Sequence, residues 1–218
     1  MSTFPNSPKL VKGGLVLIDP ESARVLRVIA LQYNAETLKR SLKPQEGGGE
    51  GADRAEATRF RGPAVETYSF DAEFDATDQL EFPDQHANAT AHGIGPQLAV
   101  LEALLQPASA QLRKVDREAA SGTLAIAPML APLLLFVWGK SRVIPVKLTE
   151  FSITEEAFDP ALNPLQAKAS FSLRVLSVDD LGFSSAGGAL FMAYLQGRET
   201  LAGKVQPDSL SALGLQGI

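Results

Sequence analysis

The feature that most constrains the fold is a stretch in which apolar and polar residues alternate without error. From Leu165 to Val175 every odd-numbered residue is apolar and every even-numbered residue is polar or charged. Successive side chains of a β-strand point to opposite faces of a sheet, so this period of two predicts a strand with one buried and one wet face. Such strands are typical of antiparallel sheets and barrels. The wet face comprises Gln166, Lys168, Ser170, Ser172 and Arg174.

Other segments rich in Val, Ile, Leu and aromatic residues also carry strand signals. The turn sequence Asp19-Pro20-Glu21-Ser22 predicts a hairpin, and Gly139-Lys140 predicts another tight turn. In the segment before the alternating strand the apolar phase slips near Thr149-Glu150, which predicts a β-bulge. We predict these further strands at residues 14–19, 24–32, 65–75, 133–138 and 142–153.

Two helices are predicted from the spacing of apolar residues. After Gly95-Pro96, the segment 97–106 places its leucines on one helical face, and Pro107 ends it. Residues 186–203 carry a second such pattern. The expected fold class is therefore mainly β with minor α: an antiparallel β-barrel or sandwich with one flanking helix and a C-terminal helical segment. We expect a barrel domain over residues 1–180 and a helical extension over 181–218.

Residues 43–63 contain almost nothing apolar, and such composition cannot offset the entropy of ordering the chain. The sequence predicts a long mobile loop that orders only against a neighbouring subunit. We take as candidate assembly residues Gly47, Gly48, Gly49 and the arginines of the segment Arg59-Phe60-Arg61-Gly62.

The composition limits the classes of partner. Lys and Arg number 20 against 25 Asp and Glu, and the net charge of −5 argues against nucleic acid as a partner. The absence of cysteine removes disulfides and thiolate sites. No apolar run reaches the roughly 18 residues that span a bilayer, and the N-terminus lacks the apolar region of a signal peptide, so we expect no membrane insertion.

No catalytic, cofactor-binding or metal site is predicted. His86 and His92 lie in a polar stretch without metal-ligand spacing, and we expect a solvated loop there. The acidic residues Asp71, Glu73 and Asp75 lack the glycine and closing glutamate of a calcium loop, so a solvated strand face is the better interpretation. The glycine runs match neither phosphate-binding nor dinucleotide motifs. We therefore expect a protein that is not an enzyme.

A resemblance covers roughly residues 9–178. Phe136, Trp138 and Gly139 end one strand, Phe158-Asp159 lies in the following turn, and the segment 164–167 begins the last strand. In this order the elements resemble the tube proteins and LysM-type baseplate adaptors of phage-tail-like contractile injection systems. The chain departs from the family at residues 43–63 and shows no LysM repeat in its last residues.

The resemblance implies a structural subunit. It implies a tail-tube-like barrel that closes into a ring, with a hexamer as the expected order, at the junction between baseplate and tube. Partners would be other copies of the chain, inner-tube proteins and spike or baseplate proteins, without a cofactor. Assembly would occur in the bacterial cytoplasm before the particle is released or docks on a membrane. The wet strand face would line the ring's channel or contact the next subunit. The alternatives are a small-ligand-binding or hydrolytic β-barrel and a cap that terminates the tube.

Overall fold

The computed structural model describes residues 10–46, 59–120, 131–206 and 208–215. The described chain is mainly β with minor α, as predicted. Its seven strands form one antiparallel sheet in the order β2-β1-β5-β6-β7-β4-β3. The strands are β1 (Gly14–Ile18), β2 (Val25–Ala30), β3 (Lys39–Glu46), β4 (Phe60–Asp75), β5 (Leu133–Val137), β6 (Val143–Phe158) and β7 (Pro164–Val175).

Two predicted turns join neighbouring strands. Between β1 and β2, Asp19 Oδ1 accepts hydrogen bonds from the amides of Glu21 at 3.0 Å and Ser22 at 2.7 Å, which fixes the turn. Between β5 and β6, Gly139 adopts a φ of 75°, a conformation that glycine tolerates without steric cost. The Trp138 amide closes this turn by donating to the Arg142 carbonyl at 2.8 Å. Both hairpins are confirmed.

The predicted bulge in β6 is confirmed. The register with β7 shifts between Leu148 and Glu150. The extra residue changes which face the following side chains occupy, so Phe151 and Ile153 join the same core as Val146. Phe151 then lies 5.0 Å from Phe171, measured between ring centroids.

The sheet curls so that distant strands meet across its inner face. β4 and β5 are separated in the sheet by β7 and β6, yet the rings of Tyr68 and Phe136 lie 5.4 Å apart. Phe70 is also 5.4 Å from Phe136 and 4.9 Å from Phe171. Among the described strands β2 and β3 have one neighbour each, so the hydrogen-bonded sheet is curled but has two edges.

The helices flank this curled sheet. The predicted helix at 97–106 forms, but it ends at Glu102, and Leu105 is exposed. The segment with the two histidines, expected to be a loop, contains a short helix. A further helix at 109–120 was not predicted. The helices are α1 (Thr77–Leu80), α2 (Ala87–His92), α3 (Gly95–Glu102), α4 (Ser109–Ala120), α5 (Val178–Leu181) and α6 (Ala186–Ala202), with 3₁₀ turns at Pro83–Gln85 and Leu210–Leu213.

The prediction of a mobile loop at 43–63 is wrong at both ends of that range. Residues 43–46 belong to β3 and residues 60–63 belong to β4, and the two strands pair up to Glu46 and Phe60. The apolar content of this hairpin is low because β3 lies at a sheet edge, where one side of the strand stays in solvent. The central part of the predicted loop, residues 47–58, lies outside the described residues.

The C-terminal helix α6 is anchored by apolar and polar contacts. Phe191 and Tyr194 belong to the main core together with the inner residues of β4 and β7. The Tyr194 hydroxyl donates to Glu66 Oε1 at 2.8 Å and lies 3.0 Å from the Tyr68 hydroxyl. Arg198 donates to the Tyr194 hydroxyl at 3.0 Å. The helix therefore completes the core enclosed by the curled sheet, which is not closed into the predicted barrel by hydrogen bonds between the described strands.

Candidate functional site

The wet face predicted for β7 lies on the outer side of the sheet. Ala167, Ala169, Phe171, Leu173 and Val175 are buried, while the intervening polar residues are exposed or half-buried. Polar residues of β4 and β6 lie beside them, because the register pairs Ser172 with Ser69 and with Glu150. The candidate face therefore extends over three strands: the five predicted residues of β7 lie beside Ser69, Asp71, Glu73, Asp75, Glu150, Ser152 and Thr154.

Hydrogen bonds and one ion pair connect this face across strands. Ser170 Oγ donates to Asp71 Oδ1 at 2.6 Å, and Lys168 Nζ lies 3.5 Å from Asp71 Oδ2. Gln166 donates to Asp75 Oδ2 at 2.9 Å. The hydrogen bond from Ser170 and the charge of Lys168 hold the pKa of Asp71 below its usual value. The face is hydrated, and its charges are partly paired within the chain.

Arg174 is engaged at the end of β7. It donates two hydrogen bonds to Asp180, at 2.7 and 3.2 Å. Asp180 also accepts from the Ser177 amide at 3.0 Å, as part of the capping box at the start of α5. Arg174 therefore has a structural role that the sequence did not predict, because its partner lies beyond the strand.

Two strand edges flank the wet face. β3 pairs with β4 alone, and its other side has no partner among the described strands. β6 pairs with β5 only through Val143–Val146, so its outer half has β7 on one side and no described strand on the other. The strands β6, β7, β4 and β3 thus form a four-stranded unit with no described strand beyond either end of its outer half, and α6 packs against β6.

These two edges differ in charge. β3 carries the exposed residues Lys39 and Lys43 against Glu46, and its Arg40 is paired with the buried carboxylate of Glu66. The outer half of β6 carries three acidic residues against one basic residue: Glu150, Glu155 and Glu156 against Lys147.

The candidate assembly residues are only partly described. Gly47, Gly48 and Gly49 lie outside the described residues. Arg59 and Arg61 are exposed at the start of β4, and Phe60 between them is 79% exposed. A Cβ on Gly62 would lie 2.6 Å from Asp179 Oδ2, so this glycine permits close approach of α5 to β4. The arginine segment is thus accessible at one end of the sheet.

The two histidines, considered as possible catalytic or metal-binding residues, are not part of a metal site among the described residues. His86 precedes α2 and His92 lies in its last turn. Within the described ranges, no group of three or more His, Cys, Asp or Glu residues could hold a metal ion. In the same part of the chain, no helix has the length and apolar content needed to cross a bilayer.

The sequence analysis missed one buried charged residue. Glu66 is 5% exposed and lies 3.2 Å from Arg40 Nε. It has the same parity in β4 as the apolar residues Tyr68 and Phe70, and a charge on an apolar face requires a partner. That parity was an available signal, because the strand predicted at 65–75 already contains Glu66.

Comparisons with known proteins give few matches. No family model and no curated protein matches the chain. One similar solved structure is the tail of an empty gene transfer agent particle refined with C6 symmetry, at 9% identity and a TM-score of 0.30. Another is the virion of a native gene transfer agent particle, at 10% identity and a TM-score of 0.28. Each match covers 75% of this chain and 90% of the other.

Proposed function

We propose that this chain is a structural subunit of a phage-tail-like contractile injection system, and that its copies close into a ring at the junction of baseplate and inner tube. The sequence resemblance across residues 9–178 suggests the particle and the hexameric order. The observation that best supports ring formation is the four-stranded unit, whose two unpaired edges differ in charge.

In this ring, β3 of one subunit pairs with the outer half of β6 of the next. β4 and β6 run in one direction, and β3 and β7 run in the other, because every ladder between them is antiparallel. A neighbouring β6 placed beside β3 is therefore also antiparallel, and the pattern continues through every subunit. Head-to-tail contacts of this kind form a closed ring when the rotation between subunits permits it.

The wet face of β4, β7 and β6 then lines the channel. Its residues are charged or hydroxyl-bearing, whereas the cores of protein interfaces are depleted in charge. Lys168 is one such residue, exposed on the central strand β7. The exposed arginine segment at the start of β4, with the glycines that precede it in sequence, would contact the adjacent subunit.

The interior of the barrel favours a structural role over a ligand carrier or a hydrolase. Tyr68, Phe136 and Phe171 are each no more than 1% exposed, and their rings contact one another directly or through Phe70. A carrier needs space for its ligand inside the barrel, and these rings fill that space. The same fully packed barrel would serve an adaptor, a tube initiator or a cap.

Charge reversal at the two edges tests the ring. One variant combines Lys39→Glu with Lys43→Glu on β3, and the other combines Glu150→Lys with Glu156→Lys on β6. Each variant alone places like charges on facing edges, so rings should be lost. An equimolar mixture places opposite charges on every contact of an alternating ring, so rings should return. Light scattering after size exclusion and electron microscopy at low salt would measure both outcomes.

The matched control is Lys168→Glu, which makes the same change on the central strand β7 and should leave ring formation intact. Rings formed by either edge variant alone as readily as by the wild type would contradict the β3–β6 contact. A wild-type chain that stays monomeric up to its solubility limit would contradict the self-assembling ring.

A further inference from the structure

A second binding surface lies at the opposite end of the sheet, beside β2. A groove of about 670 Å³ runs between this edge strand and the helices α2 and α3. Val28, Ile29 and Ala30 form one wall, and Asn88, Pro96 and Gln97 belong to the other. This surface shares no residue with the four-stranded unit except Phe74, and binding here does not require the proposed ring.

The strand at this groove presents backbone groups that have no partner among the described residues. The Leu31 amide donates to the Gly13 carbonyl at 2.9 Å, and the register pairs Ile29 with Leu15 and Arg27 with Leu17. Hydrogen-bonded and non-hydrogen-bonded pairs alternate in an antiparallel ladder. The backbone groups of Ile29 and Arg27 therefore point toward β1, and those of Val28 and Ala30 point into the groove.

The edge of β2 also lacks the usual protection against pairing. Soluble proteins cover an exposed edge strand, or place lysine or proline on it. β3 at the other edge has lysines and Pro44. β2 has Arg27 as its one charged residue, and Val25, Leu26 and Val28 are 56%, 45% and 65% exposed.

The lining of the groove indicates the chemistry of its occupant. No Asp, Glu, Lys or Arg is among the lining residues of this described surface, which are apolar, histidine or amide-bearing. Gln97 Oε1 is buried and accepts no hydrogen bond from the described residues. An unpaired buried acceptor costs free energy until it receives an N–H group. A charged ligand would lose hydration here without gaining a partner.

We propose that this groove binds an extended, uncharged peptide segment of another polypeptide, which adds to the free edge of β2 as an extra strand. The backbone of the segment pairs with Val28 and Ala30, and the half-buried Gln97 side chain rotates so that its Oε1 accepts one N–H group of the segment. This is β-strand addition, in which main-chain hydrogen bonds provide affinity and adjacent pockets select side chains. Pairing between the β2 edges of two copies is the competing occupant, and a dimer in size exclusion that Val28→Lys dissolves would overturn the proposal.

Selection from a phage-displayed library of random linear peptides on the immobilised full chain would test this. Clones that also bind a Val28→Lys variant are removed. We expect the remaining peptides to be uncharged and to alternate β-branched with small polar residues. Val28→Lys should lower the affinity of the chain for a selected synthetic peptide by about tenfold or more, since the lysine blocks a strand-addition site. Val25→Lys is the matched control on the same strand outside the groove, and it should bind as the wild type does.

Amide hydrogen exchange measured by NMR would show whether the peptide adds as a strand. In the free chain, the amides of Arg27 and Ile29 should exchange slowly and those of Val28 and Ala30 rapidly. The peptide should slow Val28 and Ala30, and Gln97→Met should weaken binding several-fold. The proposal is overturned if selection yields no peptide that distinguishes wild type from Val28→Lys. It is equally overturned if bound peptides leave the Val28 and Ala30 amides in rapid exchange.

Discussion

At the scale of single residues, the carboxylate of Glu66 organises a polar cluster inside an otherwise apolar core. It forms an ion pair with Arg40 and accepts a hydrogen bond from the Tyr194 hydroxyl, which also contacts Tyr68 and Arg198. Burial, the hydrogen bond with Tyr194 and the charge of Glu66 raise the pKa of Tyr68. Tyr68 therefore remains a neutral donor or acceptor over the physiological range, and the cluster ties α6 to β4.

We expect Glu66→Ala to lower the free energy of unfolding by about 3 to 5 kcal/mol, because it leaves the Arg40 guanidinium without its buried partner. Glu66→Gln keeps an acceptor for Tyr194 and removes only the charge, so its cost should be smaller, about 1 to 2 kcal/mol. Urea denaturation of both variants measures the difference. Equal costs for the two substitutions would show that the lost carboxylate charge decides the loss, and that the cavity and the hydrogen bond from Tyr194 contribute little.

At the scale of elements, the capping box of α5 joins this helix to the end of β7. Burial alone would raise the pKa of Asp180, but the hydrogen bonds from Arg174 and from the Ser177 amide outweigh it, and the pKa lies below the usual value. A carboxyl whose pKa is lower in the folded state stabilises the fold at pH values above its unfolded pKa. That contribution is lost as the pH falls through the folded pKa.

We therefore expect the stability difference between wild type and Asp180→Asn to be largest at neutral pH and to shrink below about pH 4. Urea denaturation at a series of pH values measures it. Asp208→Asn, which removes an exposed carboxylate outside this helix, is the matched control. A stability difference that stays constant from neutral to acidic pH would mean that the ionised carboxylate does not hold the cap.

At the scale of the whole molecule, the absence of cysteine allows a single engineered thiol to report on the wet face. In the proposed ring, Ser172→Cys lies in the channel, so a small maleimide should label it and a bulky polyethylene-glycol maleimide should label it far more slowly. Ser22→Cys, in the exposed β1–β2 turn, should accept both reagents. Gel shifts of assembled rings measure the rates. Blocked labelling by both reagents would place the face in a contact between subunits, and free labelling by both would place it on the outside.

Features encoded by local residue order could be predicted from the sequence alone. The alternation from Leu165 to Val175 determined which side of β7 is buried, because a strand has a period of two wherever its neighbours lie. The phase slip at Thr149-Glu150 located the bulge for the same reason. The Asp19 turn and Gly139 marked hairpins through the backbone conformations they favour.

The tertiary structure decided everything that depends on which distant segments become neighbours. The strand β3 was missed because its edge position allows a polar composition that locally resembles a loop. The helix α4 is different: none of its residues is buried, so it rests on local helix propensity, which the sequence already contained. Glu66 and Arg174 gained their roles from Arg40, Tyr194 and Asp180, none of which a local pattern connects to them. The free edges of β2, β3 and β6 exist only in the finished strand order. An edge is defined by the neighbour a strand lacks, and the residues within the strand do not encode that neighbour.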